Sequence, residues 1–163
     1  MKDYENIENK IFDIIERLKQ VELEEGEELT KYLYTHGFCC NLASLIKSQF
    51  LDDDSVKMMH MFLPEKYIAH MVVAVTDCKT EREYSESPDS CFYDINGKIY
   101  LHEAPQYLFS FYSKTPNATN PEISLEFLDF EPYYKEISKT NKVFEMLKEE
   151  SETSTPSAEE LIQ

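Results

Sequence analysis

The sequence predicts an α+β domain. Apolar residues recur at helical spacing near both ends, short apolar segments broken by polar or Pro positions fill the middle, and an Asn-Gly pair joins two of those segments as a hairpin turn. At 163 residues the chain fits one domain, expected over 1–148, with 149–163 as an acidic mobile tail.

Tyr4, Ile7, Ile11, Ile14, Leu18 and Val21 are spaced by threes and fours. This predicts an N-terminal helix over 3–21 that docks one apolar stripe on the core. Glu22–Glu28 reads as an acidic connector and Leu29–Tyr34 as a short helical piece leading to a turn at Gly37. Phe38–Phe50 predicts a second helix, with Cys39, Leu42, Ala43, Ile46 and Phe50 on one face. Strands are predicted at Val56–Leu63, Tyr67–Val75, Ser90–Ile95, Lys98–Leu101 and Glu122–Phe130. Tyr67–Val75 is apolar on both faces, which suits a central strand. Asp77–Asp89 reads as a polar loop, and Pro132 is expected to open a last amphipathic helix carrying Ile137, Val143, Phe144 and Leu147.

Leu, Ile, Val and Phe make up about a quarter of the residues, enough for a packed core. Lys and Arg total 16 against 32 Asp and Glu, a formal charge of −16. That balance argues against nucleic acid or an anionic membrane as partner, since phosphate binding needs a basic footprint. Three isolated glycines leave no GxGxxG, P-loop or GxSxG to write, so no nucleotide cofactor is expected. The four cysteines, two of them adjacent, and an acidic start without an apolar h-region predict a reduced, cytoplasmic protein, in its own cell or in a host. The sequon at Asn117 then has no reader.

No metal site is expected. There is no CxxC, CxxH or HxxxH, the carboxylate runs lack a calcium-loop pattern, and His60 among Met58, Met59 and Met61 reads as a strand with core methionines.

Three residues stand out together: Cys39 at a helix start, His70 in an apolar strand and Asp94 just before a tight turn. Singly, each has a plain alternative as core thiol, core imidazole or turn former. Together they suit nucleophilic catalysis. A helix N-terminus favours a thiolate, a neutral imidazole can take the thiol proton, and the His needs an orienting carboxylate. A charged Asp and a charged His in an apolar sheet are costly unless they pair. Cys40 competes for the role of nucleophile. It aligns with Ala43, Ser44 and Lys47 on what reads as a wetter face, so Cys39 is preferred.

Gly37-Phe38-Cys39-Cys40-Asn41-Leu42-Ala43 resembles the nucleophile helix of compact papain-like cysteine enzymes, with their G-x-C-x-x-[FL]-A pattern. Ala69-His70-Met71-Val72-Val73 is similar to their His strand, and Phe92-Tyr93-Asp94-Ile95-Asn96-Gly97 to the strand carrying the third member. The resemblance spans about Thr35–Leu101. It implies a papain-like fold, with the nucleophile helix packed on an antiparallel sheet and extra helices at both ends. It also implies a thiol hydrolase acting on an amide or thioester carbonyl of a protein or peptide: a peptidase, amidase or deamidase with Cys39, His70 and Asp94 as catalytic residues. No glutamine upstream fits a side-chain oxyanion donor, and Tyr34 and His36 are poor substitutes, which leaves the Cys39 N–H. The rival reading is a non-catalytic acidic binding or inhibitor protein mimicking an acidic partner. It is motivated by the net charge and the aromatic run Tyr107–Tyr112.

Overall fold

The structure, a computed structural model, describes residues 3–21, 31, 34–35, 37–63, 68–112, 123–133 and 138–154. Five α-helices, a five-stranded antiparallel sheet and a 3-10 turn at Leu101–Glu103 make up its regular elements among these residues. In chain order the helices and strands are α1 (Tyr4–Val21), α2 (Cys39–Ser48), β1 (Val56–Leu63), β2 (Ile68–Val75), α3 (Glu81–Glu86), β3 (Cys91–Asp94), β4 (Gly97–Tyr100), α4 (Ala104–Tyr112), β5 (Ser124–Leu128) and α5 (Ser138–Ser154). The acidic connector, most of the helical piece before Gly37, His36, the sequon and 155–163 lie outside the described residues.

The strand order β4-β3-β2-β1-β5 places β2 at the centre, as its two apolar faces require. Alternation along the strands then makes two cores. Val56, Met58, Val73 and Tyr93 face α1, α2 and α5, where Ile11, Leu18, Leu42, Ile46 and Val143 are buried with them. Met59, Met61, Val72, Ala74 and Phe92 face α3 and α4, meeting Tyr84, Ala104 and Leu108. The sheet is therefore covered by helices on both sides.

Two expectations are corrected, the polar loop at 77–89 and the tail from 149. The loop Asp77–Asp89 contains α3: Thr80 caps it, its hydroxyl accepting from Glu83 N–H at 3.2 Å, and Tyr84 anchors it, wholly buried and donating to the Cys91 carbonyl at 2.7 Å. The run around Tyr107 is helix α4. The helix expected after Pro132 is described from Ser138 as α5, and residues 134–137 lie outside the described residues. At its far end α5 continues to Ser154, six residues into the expected tail. Glu and Lys favour helix there, and Arg17 of α1 reaches Glu150 at 2.5 Å.

The two kinds of anchoring differ in cost. Leu18→Ala, which empties a fully buried site beneath α1, should destabilise the fold by about 2–5 kcal/mol. Thr80→Ala, which removes only a cap, should cost about 1 kcal/mol. Urea unfolding of both variants tests this, and a larger loss in Thr80→Ala would contradict the placement of α1 in the core.

Candidate active site

Cys39 is the first residue of α2. Gly37 leads into it at φ +154°, a conformation that side-chained residues avoid, and Phe38 follows as the N-cap residue with no side-chain acceptor to offer. The N–H groups of Asn41 and Leu42 turn back to the Phe38 carbonyl at 3.1 and 3.3 Å, and that of Cys40 bonds the Cys39 sulfur. The first turn thus offers the thiol one backbone donor, the Cys40 N–H.

The sheet supplies another. β2 pairs with β3 only through Val73–Tyr93 and Ala74–Phe92, because the Ile95-Asn96 turn ends β3 at Asp94. Continued along that register, Met71 would oppose Ile95, which is already in the turn. Its N–H instead donates to the Cys39 sulfur at 3.4 Å.

His70 and Asp94 alternate with Val72 and Phe92, so they belong to the α4 side of the sheet, while α2 covers the other side. The gap beyond the end of β3 is where sulfur and imidazole meet. His70 Nε2 lies 2.8 Å from Asp94 Oδ2, with both side chains almost fully buried. Nδ1 is the ring nitrogen left on the side of the thiol, and ring and thiol lie near enough to act on each other's ionisation. Asp94 is itself held: Oδ1 accepts from the Asn96 N–H at 2.8 Å, and Oδ2 accepts from the Tyr107 hydroxyl. Asn96 Nδ2 donates to that hydroxyl at 2.8 Å.

Burial alone would push the Cys39 thiol up. The His70 hydrogen bond and charge, with the Met71 and Cys40 N–H groups, outweigh it and hold the thiol below its ordinary value. Burial would likewise push His70 down, but its bonds to Asp94 and Cys39 and their charges hold it at about 9. Both shifts move the pair toward thiolate and imidazolium.

The sequence-predicted residues Cys39, His70 and Asp94 come together. The expected oxyanion side chains do not: Tyr34 is buried with its ring edge-on to Phe38 at 5.9 Å, and His36 lies outside the described residues. The face of Cys40 is wet only in part, at half-buried Lys47. Ser44 is fully buried, donating to the Glu131 carbonyl and accepting from Tyr133 N–H, both at 2.9 Å, and Asn41 Nδ2 donates to the Tyr133 carbonyl at 2.7 Å. Residues 131–133 thus strap the back of α2. Tyr107 is the polar partner that sequence reasoning missed, since nothing in an aromatic run marks which hydroxyl faces a carboxylate.

Two cavities lie elsewhere, one of about 400 Å³ beside Ser87, Leu101, Pro105 and Leu125, the other of about 530 Å³ beside Glu8, Asp77, Tyr93 and Lys98. Neither is lined by Cys39, His70 or Asp94. Among the described residues no cluster of His, Cys, Asp or Glu could hold a metal ion, and no helix is long and apolar enough to cross a membrane. Compared with protein-family models, curated proteins and solved structures, the chain finds no match.

The thiols should separate by rate. At pH 7 iodoacetamide should label Cys39 far faster than Cys91, whose thiol burial pushes up. Cys39→Ala should abolish the fast phase and Cys40→Ala should retain it. His70→Ala leaves the thiol buried without its cation and should slow the phase roughly tenfold or more at pH 7. A fast phase carried by Cys40 would move the nucleophile by one residue.

Proposed function

We propose that this chain is a papain-like cysteine hydrolase acting on an amide or thioester carbonyl of a protein or peptide. The observation that carries the reading is the buried His70–Asp94 pair turned toward a thiol at a helix start. A buried imidazole and carboxylate are costly to keep for packing alone, and here they lower the thiol of a third residue from another element.

The Cys39 thiolate attacks the carbonyl carbon, and the carbonyl electron pair moves onto oxygen. The Cys39 N–H, at the positive end of α2, donates to that oxyanion. Collapse of the tetrahedral species expels the leaving group. The His70 imidazolium gives its proton to a departing amine, leaving an acyl-thioester on Cys39. Neutral His70 then takes a proton from water, whose oxygen attacks the thioester, and the Cys39 thiolate departs as the free acid forms. Asp94 fixes the ring and stabilises its cation through Nε2.

The required state has Cys39 ionised and His70 protonated. Cys39 falls below the ordinary thiol value and His70 rises to about 9. Activity should therefore rise with pH through an acid limb below the usual thiol range and fall through an alkaline limb near 9. Peptides bearing Gln, Asn or a C-terminal thioester serve as test substrates, with ammonia, amine or thiol release as the readout. Release should vanish in Cys39→Ala, and mass spectrometry should trap an acyl adduct on Cys39. An alkylatable Cys39 that forms no acyl adduct with any of these would overturn the reading. An inert Cys39 with salt-sensitive capture of a basic protein would favour the acidic binding protein instead.

A further inference from the structure

We propose that Tyr107 is a positioning residue for His70, acting through Asp94: its hydroxyl takes up part of the charge on the oxygen that holds the imidazolium. The inference rests on the cysteine-hydrolase reading and adds a fourth member to its machinery. Asp94 Oδ2 accepts from two donors at once, His70 Nε2 and the Tyr107 hydroxyl. The Tyr107 ring also stands edge-on to the His70 ring, centroids 6.4 Å apart, and rests on Phe92 at 6.0 Å. Its neighbour Leu108 is wholly buried in the core beneath α4, which fixes the helix that carries it.

Two donors on one carboxylate oxygen compete for the same charge. A hydroxyl bonded to a carboxylate is a strong, charge-assisted contact, and the Asn96 amide donating into that hydroxyl polarises it further. The bond to Tyr107 therefore weakens the pull of Oδ2 on Nε2–H. Without it, Asp94 would hold the imidazolium more tightly. His70 would then remain protonated to higher pH and give its proton to a leaving amine less readily. Tyr107 keeps the base within working range while its ring limits the tilt of the imidazole. Among the described residues, Asp94 from β3 and Cys39 from α2 are the charged and titratable groups that shift His70, and Asp94 is the charged group that shifts Tyr107.

The test uses the full chain, with Tyr107→Phe and Asn96→Gly beside the parent. Asn96→Gly removes the polarising amide, keeps the backbone N–H on Asp94 and leaves a turn that Gly-Gly can form. The readouts are the His70 titration by NMR, the pH dependence of iodoacetamide labelling at Cys39, and the thermal midpoint. In Tyr107→Phe the His70 titration should move up by about half a unit to one unit, and the acid limb of labelling should move down. Asn96→Gly should shift both in the same directions by less. A merely structural tyrosine would lower the midpoint and leave both titrations in place, and that result overturns the proposal, as does a downward shift of His70. Should Tyr107→Phe not fold, Asn96→Gly decides alone. An inert Cys39 in the parent would count against the hydrolase reading, and the NMR titration would still decide the role of Tyr107.

Discussion

An imidazole and a carboxylate leave water for the interior of an apolar sheet at a cost of several kcal/mol per ion, unless each finds its partner there. His70 and Asp94 meet that condition, and much of the local architecture follows from it. The carboxylate needs further donors, which the Asn96 backbone and Tyr107 provide. The imidazolium also gains from the charge of the thiol that α2 brings from the opposite layer. α4 must cover the pair to keep it dry, and Leu108 seats that helix. Removing either member of the pair would leave the other buried and uncompensated.

The nucleophile is placed by a second constraint, independent of the first. Backbone N–H groups without partners are costly when buried, so a strand that outruns its neighbour must find another acceptor. Sulfur is a weak acceptor as a thiol and a better one as a thiolate, and the Met71 N–H together with the Cys40 N–H favours the anion. The sheet and the helix each contribute one backbone donor to the same atom. From behind, Asn41 and Ser44 tie α2 to residues 131–133, which fixes the depth at which the sulfur enters the sheet.

What the sequence revealed follows the strength of each signal. The 3-4 spacing set α1 at Tyr4–Val21, and β1 lay at Val56–Leu63 as read, because long amphipathic and alternating patterns survive tertiary context. α3 was missed because six residues with one buried tyrosine carry little periodicity, although Thr80-x-x-Glu83 spells a capping box. Cys39, His70 and Asp94 could be picked out by residue type and order. Met71 and Asn96 could not, since a backbone donor has no residue signature. The strap on α2 was hidden in the same way, which is why the Cys40 face looked solvated.

The Asn96-Gly97 turn closes β3 and β4 early, with Gly97 at φ +95°. Hairpin length is among the most freely varied properties of a chain over descent, because loops tolerate insertion better than the elements they connect. Here that ordinary variation has an unusual reach. One more residue pair in the hairpin would carry the β2–β3 ladder over Met71, take the N–H that now meets sulfur, and close the slot through which two layers communicate. A lineage could thus silence or expose the thiol without touching Cys39, His70 or Asp94. Among related chains, the length of this hairpin would then record the state of the site as faithfully as the three side chains themselves.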